Sequence, residues 1–198
     1  MGTERIGLLE QQMRECYEPL RDRLHGLGER ESLWEPVAGW NLRRRPDGGW
    51  TYDYAVPDPD PAPFTTIGWR VWHVAACKVM YHEYAFGPGT LTWDEYDPPG
   101  SGAELVEALE GGQSLLAQDL TGLAEDRELD VQRLTNWGEP WPTWRIFWTM
   151  IRHDAHHGAE IACLRDLYAG LTRDGADPAV AGIAALAALD SPSEGASR

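Results

Sequence analysis

One stretch of the sequence most constrains the fold. From Thr65 or Thr66, either of which can cap a helix, to about Phe86, apolar residues lie on nearly every side of a helical projection. A helix of this kind belongs at the centre of a protein, because a surface helix needs one polar face. The stretch therefore predicts a central helix that other helices cover.

Three further stretches have helical periodicity. Apolar residues at intervals of three and four predict a first helix over about 6–27, in which Pro19 is expected to cause a kink or an early end. Ser101 and Glu104 have the spacing of a capping box and introduce a third, amphipathic helix. A fourth helix is predicted over about 143–168. The sequence thus predicts an all-α core.

A small β-hairpin is predicted between the first two helices. Two short runs, 40–44 and 50–55, have strand-like composition, and the turn sequence Pro46-Asp47-Gly48-Gly49 joins them. The proline-rich segment that follows cannot be helical, so we expect an extended surface connection there.

The chain is expected to form a single domain. Its 198 residues, 42% of them hydrophobic, can bury one sizeable core. We expect this helical domain to span 1–190, with an extra alanine-rich C-terminal helix starting near Pro178. The small, polar segment 191–198 is typical of a flexible tail.

Charge and cysteine content exclude several classes of function. A net charge of −15 would repel phosphate backbones and anionic lipids, so neither nucleic acid nor a membrane is expected as a partner. The three cysteines are widely spaced and lack a C-x-x-C pair, which favours a reducing, cytoplasmic environment. The charged N-terminal segment and the absence of a long apolar run indicate neither export nor membrane insertion.

Three histidines are the main candidates for chemistry. His153 and His157 lie one turn apart on the apolar stripe of the fourth helix, where two imidazoles can bind one ion. His73 lies on one face of the central helix; alone it would be interpreted as a core histidine bonded to a backbone carbonyl, but the triple favours a metal site. We predict that the three bind a divalent ion, with zinc favoured over nickel or iron, and leave an open coordination position.

Other polar residues near these histidines are weaker candidates. Glu160 could serve as a fourth ligand or general base, or could simply be a surface charge. Asp154 could orient an imidazole or form an exposed salt bridge with Arg152 or another neighbouring residue. Cys77 could reach the metal as a thiolate, but a single buried cysteine usually behaves as a small hydrophobe, so it is left out of the predicted ligand set.

Several motifs together resemble one family. They are W-R-V-W-H-V around His73, I-R-H-D-A-H-H-G-A-E-I around His153 and His157, L-W-E-P-V near Trp34, the D-G-G-W turn, and P-F-T-T-I-G-W entering the central helix. The chain resembles the DinB-like superfamily, and especially its mycothiol-dependent, maleylpyruvate-isomerase-like branch.

The resemblance implies a four-helix bundle with up-down-down-up connectivity, a divalent metal held by His73, His153 and His157, and a homodimer. Characterised relatives are transferases or isomerases in which the metal activates a small thiol such as mycothiol, bacillithiol or glutathione. The chain departs from the family in one motif: many members have H-R-G-Q after the last histidine, whereas this chain has Gly158, Ala159 and Glu160 after His157.

Three functions are compatible with these patterns. The leading hypothesis is a metal-dependent thiol transferase or isomerase that activates a low-molecular-weight thiol for attack on an electrophile. The second is a metal-dependent hydrolase with Glu160 or Asp154 as base. The third is a noncatalytic metal-binding or stress-response module whose ion stabilises the fold.

Overall fold

Four long helices form most of the protein. The computed structural model describes residues 2–57, 59–100, 102–173, 175 and 177. The long helices are α1 (Glu4–Arg23), α3 (Ile67–Ala85), α4 (Gly102–Thr121) and α5 (Thr143–Thr172), and a single-turn helix α2 (Glu29–Ser32) follows α1. The predicted predominance of helix is confirmed.

The four long helices pack in a closed ring. Helix α3 packs against α4 and α5, and α1 packs against the same two helices. Buried side chains fill the space between them, among them Trp72, Phe147 and Leu116. Most residues of α3 are buried, in agreement with its apolar sequence, although in this ring α3 has two long-helix neighbours, as α1 has.

Helix α3 begins at the predicted cap. The Thr66 hydroxyl accepts a hydrogen bond from the backbone N–H of Trp69 at 3.3 Å, which satisfies one of the free donors of the first turn. The same hydroxyl donates to the Asn41 side chain at 2.8 Å. This bond ties the start of α3 to the segment that carries the first hairpin.

Helix α1 differs from its prediction at Pro19. The helix continues through this proline and ends at Arg23, so an early break at Pro19, one of the two expected outcomes, does not occur. Pro19 lies on the exposed face, between the buried residues Tyr17 and Leu20. Packing of these neighbours offsets the hydrogen bond that the missing N–H removes.

The first hairpin is confirmed with shorter strands than predicted. Strands β2 (Leu42–Arg44) and β3 (Trp50–Tyr52) are antiparallel, and Arg43 pairs with Thr51 at the centre. The preceding strand β1 (Gly39–Trp40) pairs instead in parallel with β4 (Phe64–Thr65), directly before α3. The two small sheets cover the end of α3 at which His73 lies.

A second hairpin was not predicted. Strands β5 (Gln132–Leu134) and β6 (Pro140–Pro142) are antiparallel and lead directly into α5. The two prolines were interpreted only as the entry to a helix, because proline is rarely found within a strand. In a two-stranded sheet both strands are edges, so the missing N–H groups break few ladder bonds.

Some predicted features fall outside the described residues. These are Ser101 of the predicted capping box, the helix expected from Pro178, and the tail 191–198, together with the domain boundary at 190. The partner carboxylate of that box, Glu104, accepts a hydrogen bond from the backbone N–H of Gly100 at 3.0 Å. Among the described helices, none has the length and apolar character that crossing a bilayer requires.

Candidate metal centre

Three histidine rings converge between α3 and α5. The ring centroid of His73 lies 5.6 Å from that of His153 and 5.2 Å from that of His157. The centroids of His153 and His157, one turn apart on α5, are also 5.6 Å apart. The structure therefore brings together the three residues that the sequence suggested as ligands.

These separations fit three imidazoles around a single ion. With nitrogen–zinc distances of about 2.0–2.1 Å and tetrahedral angles, the ring centroids would lie about 5.2 Å apart. The observed values of 5.2 and 5.6 Å are close to that figure. The ring spacing is therefore compatible with a first-row divalent metal. By individual ligand atoms, His73 and His153 group within 4.8 Å with Cys77, whereas His157 groups with His156 and Glu160.

Hydrogen bonds at the Nδ1 atoms leave two Nε2 atoms free to act as ligands. His153 Nδ1 lies 2.9 Å from the Thr149 carbonyl oxygen, and His157 Nδ1 lies 2.8 Å from Glu160 Oε2. Since both partners are acceptors, each Nδ1 carries the proton and donates it. Carbonyl and carboxylate partners of this kind orient metal-binding histidines and fix their tautomer.

All three imidazoles are held in the neutral form. Burial, with the neighbouring imidazoles, lowers the pKa of His73 and of His157 to about 3. Burial also lowers the pKa of His153. Because a metal binds the neutral ring, the centre is ready for an ion at neutral pH.

The His73 ring is positioned by an aromatic contact. It stacks on the Trp69 ring, with centroids 5.0 Å apart and planes inclined by 12°. Trp69 is itself held by a hydrogen bond from its indole Nε1 to the Asp53 carbonyl oxygen at 2.8 Å. Residues of the first hairpin region thus help to orient a candidate ligand on α3.

Cys77 lies within the centre, one turn after His73. Its Sγ is 3.8 Å from His73 Nε2, and the potential ligand atoms of His73, Cys77 and His153 all lie within 4.8 Å of one another. The thiol is buried, which raises its pKa to about 12 in the absence of an ion. The sequence left this residue out of the predicted ligand set.

Glu160 supports His157 from the outer side of the centre. Besides its bond to His157, its carboxylate lies 3.3 Å from Arg70 Nε and 3.6 Å from Nε2 of the exposed His156. These contacts place Glu160 behind a ligand rather than facing the space between the three rings.

Asp154 has a different role from either one suggested by the sequence. It was expected to orient an imidazole or to form an exposed salt bridge with Arg152, but its side chain is fully buried and accepts from Lys78 Nζ at 2.7 Å. Lys78 also donates to Gln113 Oε1 at 2.7 Å. Asp154 is about 100° around the helix from His153, so it faces α3 and α4 instead of the metal centre.

Two cavities adjoin the centre. One, of about 410 Å³, has mainly aromatic walls and includes His73 and Cys77. Its other lining residues are Tyr52, Tyr54, Val56, Trp72, Trp93, Asp94, Asn136 and Trp137. The second, of about 310 Å³, is lined by Arg152, His153, His156 and His157. The larger one has the size and apolar walls typical of a small-molecule site.

The contribution of the second hairpin to this cavity was not predicted from the sequence. Asn136 and Trp137 lie in the turn between β5 and β6, and the structure places them opposite the first hairpin. The signal was the Asn136-Trp137-Gly138 turn, in which Gly138 has a φ of 81°. Recognising the turn would have predicted a hairpin, but not which cavity it covers.

A comparison with models of known families identifies the family of the chain. A family model described as the DinB superfamily matches residues 12–161. The matched segment includes His73, Cys77, His153 and His157, which lie at the candidate centre. No curated protein matches the chain.

Proposed function

The chain belongs to the DinB superfamily, and from this premise we propose that it is a metal-dependent enzyme that activates a low-molecular-weight thiol. His73, His153 and His157 would bind one divalent ion, with zinc favoured. The observation that carries the proposal is the convergence of three neutral imidazoles whose centroids lie 5.2–5.6 Å apart. Such an ion would lower the pKa of a bound thiol and so supply a nucleophile at neutral pH.

The residues around the histidines would keep the rings in a fixed geometry. The Thr149 carbonyl and the Glu160 carboxylate accept from His153 and His157, and Trp69 stacks on His73. With ring orientation set in advance, ligand binding requires little rearrangement of the protein.

The size and walls of the larger cavity suggest that the substrate is a small organic molecule. Its volume of about 410 Å³ and its tryptophan and tyrosine walls would accommodate an apolar or aromatic electrophile next to His73. These walls would also exclude water, which competes with a thiol as nucleophile.

The structure favours thiol chemistry over hydrolysis. A hydrolase would need a carboxylate base facing the centre, and the two candidates were Glu160 and Asp154. Glu160 Oε2 is hydrogen-bonded to His157, and Asp154 is buried against Lys78. Neither carboxylate is free to take a proton from a water molecule in the larger cavity.

Turnover with defined thiols tests the proposal. The zinc-loaded protein is mixed with mycothiol, bacillithiol or glutathione and a chromogenic aryl halide, and loss of the thiol is followed. We expect consumption of at least one thiol, abolished in the His73→Leu variant and retained in the control His25→Ala, which changes an exposed histidine. A metal-loaded protein that neither binds nor consumes any of the three would contradict the enzyme and favour a noncatalytic metal-binding module.

A further inference from the structure

We propose that Cys77 is a fourth protein ligand of the ion, so that the centre has three imidazole nitrogens and one thiolate sulfur. This proposal rests on the proposed metal centre and specifies its coordination. The observation behind it is the placement of Cys77 Sγ among the candidate ligand atoms of His73 and His153, all within 4.8 Å of one another.

The sulfur lies at the distance expected for two ligands of one ion. With zinc–sulfur and zinc–nitrogen distances of about 2.3 and 2.0–2.1 Å, a tetrahedral centre places the two ligand atoms about 3.6 Å apart. Cys77 Sγ lies 3.8 Å from His73 Nε2 and 3.9 Å from His73 Nδ1. Either ring nitrogen is therefore close enough to the sulfur to share an ion with it.

The backbone also supports shared coordination. His73 and Cys77 are four residues apart on α3, as His153 and His157 are on α5. Residues with this spacing project from the same helix face, one turn apart. Each of the two helices would therefore supply two ligands, and the ion would cross-link them.

A second group of potential ligands is less suitable. His156, His157 and Glu160 also place ligand atoms within 4.8 Å of one another. In that group His157 Nδ1 and Glu160 Oε2 are already hydrogen-bonded to each other at 2.8 Å, and the His156 side chain is 66% exposed. Cys77 is 4% exposed and has no comparably short bond among the described residues.

Coordination by Cys77 has consequences for metal choice and for substrate entry. A thiolate among imidazoles favours zinc over harder ions such as magnesium or manganese. Binding releases the thiol proton to solvent as the metal–sulfur bond forms. Cys77 would then occupy the position that the three histidines alone would leave open, and thiol binding would need a further coordination position.

Cobalt substitution tests the inference directly. Co²⁺ is added to the full-length apoprotein, and the visible d–d bands and the near-ultraviolet thiolate-to-cobalt charge-transfer band are recorded. The variants are Cys77→Ala and Cys77→Ser, with Cys16→Ser and Cys163→Ser as matched controls for the other two cysteines. We expect both features in the wild type and in the controls, and loss of the charge-transfer band alone in both Cys77 variants.

The variants should also bind the ion more weakly. The loss of cobalt affinity in Cys77→Ala should exceed the roughly 10–100-fold that removing an outer-shell partner causes. Wild-type protein with d–d bands but no charge-transfer band would overturn the inference and leave the three-histidine centre intact. A charge-transfer band that persists in Cys77→Ala would also overturn it. Absence of any cobalt spectrum would contradict the metal centre itself.

Discussion

Two polar clusters join α3 to α5, and they differ in how their polar atoms are bonded. Lys78 and Asp154 form an ion pair at 2.7 Å with both side chains fully buried, and Lys78 has a second acceptor in Gln113. His153 and His157 use Nδ1 for their hydrogen bonds, which leaves Nε2 of both rings for a ligand, and with His73 they adjoin two cavities. The Lys78–Asp154 cluster holds the two helices together, whereas the histidine cluster leaves nitrogen atoms for a ligand.

The comparison suggests a division of roles on the same pair of helices. Burial lowers the pKa of Lys78 and raises that of Asp154, so each group depends on its partner to remain charged. The neutral imidazoles have no such dependence. We therefore expect the ion pair to set the relative position of α3 and α5, and the histidines to use that position for binding.

The largest effect is expected from breaking the ion pair. Asp154→Leu leaves the Lys78 ammonium buried without its carboxylate and should lower the free energy of unfolding by about 3–5 kcal/mol. Replacing both residues, as Lys78→Met with Asp154→Leu, should restore stability to the wild-type value or above. Urea denaturation of the apoproteins measures both. A loss below about 1 kcal/mol in the single variant would show that the pair contributes little.

Unlike the ion pair, the histidines should contribute little to the stability of the apoprotein and more to its stabilisation by zinc. In the apoprotein, His73→Leu replaces a neutral buried ring by an apolar side chain and should change the free energy of unfolding by less than about 1.5 kcal/mol. Zinc at about 100 times its Kd should stabilise the wild type by about 2.7 kcal/mol and leave this variant unaffected. Thermal and urea unfolding with and without zinc provide the measurement. Equal stabilisation of both proteins would contradict the role of His73 as a metal ligand.

A smaller effect, on zinc affinity, is expected from changing Glu160, the hydrogen-bond partner of His157. Glu160→Gln keeps an acceptor oxygen near Nδ1 but removes the charge, and it should weaken zinc binding by about 10–100-fold with little change in apoprotein stability. Glu107→Gln, on the exposed face of α4, is the matched control. Competition with a chromogenic chelator measures the Kd. Unchanged affinity in Glu160→Gln would mean that the carboxylate only pairs with Arg70.

The smallest effects concern the approach of α4 to Lys78. A Cβ atom added at Gly112 would lie 3.0 Å from Lys78 Cβ and 3.1 Å from the Ala75 carbonyl oxygen, whereas one at Gly111 would meet nothing within 4 Å. Gly112→Ala should destabilise by only about 1 kcal/mol, because overpacking outweighs the usual gain on replacing a helix glycine. Gly111→Ala should stabilise by about 0.5–1 kcal/mol because glycine weakens a helix interior. Urea denaturation of the two variants measures both changes. If Gly112→Ala stabilised the protein as much as Gly111→Ala, close packing at Gly112 would not matter.

The sequence predicted those features that depend on local periodicity. The four long helices, the Thr66 cap and the first hairpin follow from spacing and turn residues, and helical spacing alone put His153 and His157 on one face. The match to the DinB superfamily confirms the family resemblance. Thiol activation, dimerisation and a cytoplasmic location stay predictions.

The features that the sequence did not predict depend on contacts between distant segments. Asp154 pairs with Lys78 across 76 positions, and no local pattern distinguishes a carboxylate that faces a lysine from one that supports an imidazole. The second hairpin was hidden by Pro140 and Pro142. Cys77 lay on the predicted face of α3, yet its distance from His153 is set by packing of α3 against α5.

Metal content tests the central claim most directly. Untagged wild-type protein, His73→Leu, His157→Leu and the control His25→Ala are reconstituted with zinc, dialysed, and analysed by mass spectrometry for metal per chain. The account predicts about one ion per chain in the wild type and the control, and almost none in the other two variants. No bound metal in the wild type, or equal metal in all four proteins, would contradict the three-histidine centre and the function proposed for it.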